Sequence, residues 1–448
     1  MKGMRAARRA VGFVAAIAAT SIVFAATASA TTIERVTSPS GIEAWLVHER
    51  AVPLIAVEFA FAGGAVQDPA GKAGTATLMA SLLDAGAGDL DSTAFSDRLE
   101  RKAIQMSFSA QRDTIQGTIR TLTENRDEAF ELLRLAVTAP RFDAKDVEIS
   151  RAQILSLLRR ETTSPSDIAS RRWWETAFEG HPYGRPVKGT AETVASISIA
   201  DLKSYAQRIL ARQNLKIAVV GDIDAETLKV LLDRTFGALP ENPELFPIAN
   251  VAPRGLGRRI EISLDVPQTV VDFGGPGIPR QDPDFMAAYL VNHILGGGSS
   301  DSRLYHEVRE KRGLAYSVSD NLVWLDHAAV LLGGTATRAD RAGETVDLIE
   351  HEIHHFAESG PTAGELMEAK RYLNSAFALN LDSSTKIAGL LVQLQLDGFG
   401  TDYFTRRGAM IEAVTLDDAR RVAKRLLDKG LLVTVVGKPQ GFASSKPN

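Results

Sequence analysis

The chain repeats itself once, and this internal duplication limits the folds it can adopt. One half ends in the strand-like run 215–222 and the other in the similar run 431–438, and both runs contain Val-Val-Gly. A repeat this long is a domain duplication rather than a solenoid. Strand-like and helical segments alternate in mixed order, which predicts a duplicated α+β fold with helices packed on a mainly antiparallel sheet in each half. A doubly wound fold is the alternative.

Proline and glycine mark the junction between the halves. Four prolines and two glycines punctuate residues 239–257, as is typical of segments that end one domain and space it from the next. The sequence therefore predicts a first domain over 31–240, a linker over 241–257 and a second domain over 258–441.

The first thirty residues have the three parts of a secretory signal peptide. Lys2, Arg5, Arg8 and Arg9 precede an apolar run over 11–26, and Ala28-Ser29-Ala30 forms a small-residue cleavage site. We expect cleavage after Ala30 and export, with the periplasm as destination. A retained anchor helix is the alternative.

Composition excludes several function classes. The chain has no cysteine, which rules out thiolate metal sites, cysteine nucleophiles and disulfides. Its formal charge is −4, and removal of the four basic leader residues makes it −8, which argues against a nucleic-acid partner. No second apolar run reaches membrane-spanning length, so the mature chain is predicted not to cross a membrane.

Apolar spacing predicts helices over 128–139 and 146–161. In the second helix the expected apolar stripe is Ile149, Ile154, Leu157 and Leu158. The pair Trp173-Trp174 is interpreted as core, with the wall of a binding chamber as the alternative.

Several segments together resemble the pitrilysin/insulinase family of zinc peptidases, which includes the mitochondrial processing peptidase. They are residues 63–74, 179–190, 219–222 and 302–318. The resemblance covers nearly the whole mature chain. It implies a LuxS/metallohydrolase-like fold in which two-domain units face each other across a peptide-holding chamber.

The family's metal motif is missing from this chain. The positions that align with the inverted H-x-x-E-H motif are Thr77, Ala80 and Ser81, and the third ligand position falls at Leu157 or the adjacent Leu158. Zinc needs imidazole, thiolate or carboxylate donors, and its bound water needs a general base. No histidine lies between His48 and His181, so a shift in the alignment does not restore the site. We expect no metal and no cofactor in this chain.

A second family signature is intact. Arg309 and Tyr316 have the spacing of the family's arginine/tyrosine pair, which reaches across the chamber and holds the substrate carbonyl. Both side chains donate hydrogen bonds that suit a developing oxyanion. Ser300 or Asp301 is expected to cap the helix that carries Arg309. The glycine-rich turn at Gly296, Gly297 and Gly298 lines the chamber in the family.

The resemblance thus implies a non-catalytic, substrate-binding subunit of a heterodimeric zinc peptidase, whose zinc lies in a homologous partner with an intact H-x-x-E-H motif. Two alternatives stay open. One is a free-standing peptide-binding or assembly protein of the same fold. The other is a metallopeptidase that uses His351, Glu352 and His355, which spell H-E-x-x-H on a predicted helix. Val346, Ile349, Ile353 and Phe356 form the apolar stripe of that helix, and both histidines fall largely outside it.

The mature protein is expected to start at Thr31, and proteases are expected to cut first between the halves. Exposed, proline-rich connections are preferred sites of nicking. Limited proteolysis followed by mass spectrometry should give two fragments of nearly equal mass. Early cuts inside either half, with residues 239–257 resistant, would show that the predicted boundary is misplaced.

Overall fold

The structure, a computed structural model, describes residues 32–379 and 381–445. The predicted signal peptide lies outside the described residues. Residues from Ile33 onward form one compact unit. None of the helices in the described part of the chain combines the length and the apolarity that a membrane crossing requires.

Each half of the chain builds its own β-sheet. The first sheet has the order β1-β2-β6-β3-β5-β4 and the second the order β7-β11-β8-β10-β9. Neighbouring strands are antiparallel except in the pairs β2–β6 and β7–β11. The strands are β1 Ile33–Thr37, β2 Glu43–His48, β3 Leu54–Ala62, β4 Gln105–Ala110, β5 Thr114–Leu122, β6 Leu215–Gly221, β7 Arg259–Ser263, β8 Gln268–Pro276, β9 Ala315–Trp324, β10 Ala329–Arg338 and β11 Leu432–Gly437.

Helices separate the strands in both halves. They are α1 Thr75–Ala80, α2 Ser92–Arg101, α3 Arg126–Thr138, α4 Ala144–Glu161, α5 Pro165–Ala177, α6 Ala191–Ser196, α7 Ile199–Ile209, α8 Ala225–Phe236, α9 Phe285–Asn292, α10 Ala342–Ser359, α11 Ala363–Leu379, α12 Ser384–Leu396, α13 Tyr403–Glu412 and α14 Leu416–Leu427.

The two sheets share one topology. Without the edge strand β1, the order β2-β6-β3-β5-β4 matches β7-β11-β8-β10-β9 position by position, including the parallel pair at one edge. The two Val-Val-Gly runs are the equivalent strands β6 and β11. The predicted α+β fold with a duplicated, mainly antiparallel sheet is confirmed.

Each half also lends one helix to the other half's sheet. Helix α5 packs on β8 and β11 of the second sheet, and helix α12 packs on β3 and β6 of the first. Alternate residues of β3 face the first half's own helices, while Ala60 faces the opposite side together with Ala218 and Val220 of β6. Both faces of each sheet's centre are therefore covered, which is why these strands read as nearly continuous apolar runs.

Hydrogen bonds fix this exchange of helices at three places. The Trp173 indole Nε1 donates to the carbonyl of Leu432 at 3.1 Å, and the Thr434 hydroxyl donates to the carbonyl of Ala169 at 3.1 Å. On the other side, the Gln395 amide donates to the carbonyl of Ile217 at 2.9 Å. Trp173 is a core residue, as the sequence analysis preferred.

The segment between the sheets is irregular but held along its length. Residues 243–255 contain no helix or strand. The side-chain amide of Gln67 bonds the backbone of Phe246 in both directions, and the Arg254 backbone N–H donates to Ala177. The domain limits 31–240, 241–257 and 258–441 remain predictions.

One predicted stripe is wrong in part. Helix α4 buries Val147, Ile154 and Leu158, but Ile149 and Leu157 are exposed. These two residues lie eight positions apart, so they share a face of the helix. That face points away from the core, and apolar spacing alone does not identify it.

Because each half covers the other's sheet, we expect the chain to unfold in one cooperative transition. Trp173→Ala should lower the free energy of unfolding by about 3–5 kcal/mol, since it removes a fully buried ring. Urea denaturation monitored by circular dichroism measures the number of unfolding transitions and the free energy of unfolding. The half-buried neighbour provides the control, because Trp174→Ala should cost clearly less. Two separate transitions in the unsubstituted chain would contradict the interdependence of the halves.

Candidate functional site

Of the positions that align with the zinc motif, Thr77 and Ala80 lie on the short helix α1 and Ser81 directly follows it, and both hydroxyls already donate hydrogen bonds. The Thr77 hydroxyl donates to the carbonyl of Val187 at 2.8 Å, and the Ser81 hydroxyl donates to the carbonyl of Leu78 at 2.9 Å. Ala80 is buried. At the two positions where the family has histidine, this chain has hydroxyl groups that donate to backbone carbonyls. At the position of the general base it has the buried methyl group of Ala80.

The third ligand position lies on α4, which packs against α1. Leu157 is 39% exposed and Leu158 is buried, and neither has a donor atom. Two hydroxyls, a methyl group and a leucine do not fit zinc. Across residues 32–379 and 381–445, no group of three or more histidine, aspartate or glutamate residues is placed to hold a metal ion.

The scaffold around α1 is nevertheless complete. The carboxylate of Asp68 accepts hydrogen bonds from the backbone N–H groups of Gly74 and Ala76, at 2.7 and 2.8 Å, which satisfies the start of the helix. Burial raises the pKa of Asp68 to about 7, against these two donors and the nearby Arg185 and Arg208.

Arg185 joins two of the segments that carry the family resemblance. Its guanidinium donates to the carbonyls of Val66 and Asp68, both at 3.0 Å. Gly189 has a φ of +76°, and a Cβ there would lie 2.1 Å from the carbonyl oxygen of Ala73. These segments therefore hold α1 in place whether or not α1 carries metal ligands.

Arg309 lies on a π-helical turn, Tyr305–Glu310, and not on the capped helix that the sequence predicted. Residues 299–301 form a separate 3₁₀ turn before it. The Lys311 N–H reaches back five residues to His306, and Gly313 ends the turn with a φ of +61°. Wider π-type turns change the direction of side chains and occur often at functional sites.

Tyr316 lies where strand β9 bulges. Val318 pairs with Thr335 and Ala315 pairs with Thr337, so β9 spans three steps where β10 spans two. The bulge makes two consecutive residues, Tyr316 and Ser317, exposed. Tyr316 is 83% exposed, the highest value among the exposed large hydrophobic side chains of residues 32–379 and 381–445.

Both members of the pair are free to bind an external group. Among the described residues, neither Arg309 nor Tyr316 forms a hydrogen bond or ion pair; the Arg309 guanidinium carbon lies 5.0 Å from the Tyr305 ring centroid. Tyrosine and arginine are enriched among the residues that dominate protein interfaces.

The glycine turn at Gly296–Gly298 packs against β9, the strand that carries Tyr316. A Cβ on Gly296 would lie 2.7 Å from the Asp320 carboxyl group, so only glycine fits there. The Asn292 amide donates to Asp320 at 2.6 Å, and burial raises the pKa of Asp320 well above its usual range. The sequence analysis missed Asp320, because a lone aspartate in a strand has no distinguishing pattern.

The H-E-x-x-H sequence lies on α10, with its two histidines on the exposed side. The rings of His351 and His355 are nearly parallel, with centroids 6.4 Å apart. The predicted apolar stripe of Val346, Ile349, Ile353 and Phe356 is buried, as expected. The described residues supply no third ligand for the histidine pair.

A cleft of about 820 Å³ lies at the seam between the halves. The β4–β5 turn, the loop after β8 and the end of α12 line it. The guanidinium carbon of Arg112 lies 3.7 Å from the ring centroid of Trp174, which also lines the cleft. Trp173 is therefore core, and Trp174 lines the seam cleft.

The purified mature chain is expected to hold no stoichiometric zinc and to hydrolyse no peptide alone, because the donors at Thr77 and Ser81 are hydroxyls bonded to carbonyls. Metal analysis after dialysis against a weak chelator tests this. About one tightly held zinc per chain, lost on His351→Ala, would move the site to α10 and contradict the expectation.

Two family models match consecutive parts of the chain. Residues 46–191 match the model described as insulinase (peptidase family M16), and residues 196–373 match the model described as the peptidase M16 inactive domain.

Relatives that align with most of the chain agree with these matches. The non-peptidase homolog YmxG of Helicobacter pylori is 26% identical over 323 residues, which are 72% of this chain and 74% of that protein. An uncharacterized zinc protease of Streptomyces coelicolor is 26% identical over 419 residues, 91% of this chain and 90% of that protein.

A solved structure with the same architecture covers nearly the whole chain. The peptidase M16 inactive domain from Pseudomonas fluorescens has a TM-score of 0.85 and 26% identity, and the match covers 93% of this chain and all of that one. A protease from Helicobacter pylori, at 21% identity and a TM-score of 0.82, shares the fold. The chain belongs to peptidase family M16, the insulinase family, and it resembles members that are named inactive or non-peptidase.

Proposed function

We propose that this chain is the non-catalytic, substrate-binding subunit of an exported, heterodimeric zinc metallopeptidase. Its partner is a homologous two-domain chain with an intact H-x-x-E-H motif. The observation that carries the proposal is a contrast within one molecule. The positions that align with the metal ligands have no zinc-donor side chain, while Arg309 and Tyr316 are exposed and form no hydrogen bond or ion pair within the described part of the chain.

The lost donors argue against catalysis by this chain alone. Peptide hydrolysis by this chemistry needs a polarised water and a base, and the side chains at 77, 80, 81 and 157 supply neither. The names of the relatives are compatible with this assignment, because they include both a non-peptidase homolog and several zinc proteases.

The retained pair has a definite chemical use. A guanidinium and a phenol both donate hydrogen bonds, and a scissile carbonyl oxygen gains negative charge as the carbonyl is attacked. Donors fixed where that charge develops stabilise the transition state more than the ground state. Arg309 and Tyr316 would supply these donors, and the partner would supply the metal and the attacking water.

The seam cleft supports the peptide-binding part of the proposal. Its walls combine aromatic surface at Trp174 and Trp324 with the charged side chains of Arg112 and Arg280, and binding sites commonly combine apolar walls with a few polar groups. Export to the periplasm is part of the proposal and rests on the signal-peptide pattern of residues 1–30.

In a complex reconstituted from this chain and its H-x-x-E-H-bearing homologue, activity is expected where neither subunit alone has any. Arg309→Ala or Tyr316→Phe should lower kcat by about 10²–10³, the usual cost of losing one oxyanion donor, while association and zinc content stay unchanged. Arg309→Lys should recover little, because an ammonium lacks the fixed donors of the guanidinium.

Arg338→Ala is the matched control, because Arg338 is exposed on the same sheet and pairs with the nearby Asp340. It should leave kcat unchanged. If Arg309→Ala and Tyr316→Phe both keep kcat within about twofold, roughly 0.4 kcal/mol, the pair is structural. The chain would then be a peptide-binding or assembly protein rather than half of an active site.

A further inference from the structure

Two threonines on β10 bracket the bulge that exposes Tyr316. The Thr335 hydroxyl donates to the carbonyl of Ser317 at 2.6 Å, and the Thr337 hydroxyl donates to the carbonyl of Leu314 at 2.6 Å. The two acceptors lie on either side of Tyr316 in the chain. Both threonines are buried.

These hydroxyls act where the strand ladder is interrupted. The register between β9 and β10 shifts between Thr335 and Thr337, and a bulge leaves its extra residue out of the regular backbone pairing. Side-chain donors therefore bond two carbonyls at the edges of the irregular segment, which limits the positions that Tyr316 can adopt.

Thr337 also contacts a threonine of helix α10. The hydroxyls of Thr337 and Thr345 lie 3.1 Å apart, and because the Thr337 proton is used on Leu314, Thr345 is the donor in this contact and shares its proton with the carbonyl of Arg341 at 2.8 Å. Thr345 lies on α10, which covers this face of the sheet. The bulge is thus tied to a long helix as well as to the neighbouring strand.

We infer that Thr335 and Thr337 are positioning residues that hold the β9 bulge so that the Tyr316 hydroxyl points out of the subunit at a fixed place. The functional part of this inference rests on the proposed role of Tyr316. The structural part, that the two hydroxyls order the bulge, stands on the chain alone. Neither threonine touches substrate.

A sheet threonine far from the bulge separates positioning from ordinary stability. Thr434 is buried on β11 of the same sheet, and its hydroxyl donates to the carbonyl of Ala169 at 3.1 Å, with the carbonyl of Asp272 as a second acceptor at 3.4 Å. Strands β8 and β10 separate it from β9. Thr434→Val therefore removes a comparable bond without touching the bulge.

The first experiment uses the isolated mature chain and hydrogen–deuterium exchange of peptides that span residues 314–320. Thr335→Val and Thr337→Val keep the side-chain shape and remove the hydroxyl, and each should speed exchange in this segment about fivefold, the effect of one lost buried hydrogen bond. Thr335→Ser should restore slow exchange, and Thr434→Val should leave the segment unchanged. If neither Thr335→Val nor Thr337→Val changes the exchange rate of this segment, the inference is overturned, regardless of the kcat of the complex.

The second experiment measures the reconstituted complex. Thr335→Val should lower kcat about tenfold with KM unchanged, because a small misplacement of a catalytic donor is costly. Thr335→Ser should recover most of it, and Thr434→Val should have no effect on kcat. In the double variant Thr335→Val with Tyr316→Phe, the threonine change should cost nothing further, since there is no hydroxyl left to position.

The outcomes separate this inference from the proposed function. If Tyr316→Phe lowers kcat and Thr335→Val does not, the positioning role is wrong and the proposed function stands. If Thr335→Val speeds exchange but neither Tyr316→Phe nor Arg309→Ala lowers kcat, the structural part of the inference is supported and the proposed function fails. Full additivity in the double variant would show that Thr335 acts through general stability, which overturns the positioning role.

Discussion

The reciprocal packing of α5 and α12 is the contact on which the rest of the structure depends. Each sheet has one face covered by its own helices, and the centre of its other face is covered by a helix from the opposite half. Buried ring packing at Trp173 and the hydrogen bonds at Thr434 and Gln395 fix the two sheets against each other. The seam cleft exists because the halves meet in this fixed arrangement. The sheet of the second half, which carries Tyr316, is held in place by the same packing.

The same frame explains how the chain can lose its metal ligands and keep its fold. The start of α1 is capped by Asp68, and Arg185 bonds the carbonyls of the preceding loop. None of these contacts involves a metal-binding position. Thr77 even adds a bond to Val187 in place of a ligand. The residues that carry the family resemblance in these segments therefore hold α1 in place. Their presence does not indicate that the chain is catalytic.

Much of the architecture could be predicted because it follows from periodicity and repetition. The two Val-Val-Gly runs correctly predicted equivalent strands, and the stripe on α10 correctly set its histidines outside the core. The exchange of α5 and α12 could not be predicted, since an apolar stripe does not say which sheet it covers. For the same reason Ile149 and Leu157 were assigned to a buried stripe although they are exposed.

The local backbone geometry of the site could not be predicted from the sequence either. The turn that carries Arg309 is π-helical, and the bulge at Tyr316 depends on strand register and on hydroxyls from β10, none of which has a local signature. Residue identity predicted the arginine/tyrosine pair through resemblance alone. The structure shows that both side chains are exposed and that neither forms a hydrogen bond or ion pair with another described residue.

If Tyr316 reaches a metal held by another subunit, as we propose, the distance between the tyrosine ring and that metal can be probed by NMR. The chain has seven tyrosines, and fluorotyrosine labelling gives each its own ¹⁹F signal, with Tyr316→Phe identifying the one of interest. The partner's site would be loaded with paramagnetic Co²⁺ in one complex and diamagnetic Zn²⁺ in the other. The account predicts that Co²⁺ broadens and shifts the Tyr316 signal more than that of any other tyrosine. A Tyr316 signal that is the same in both complexes would contradict it.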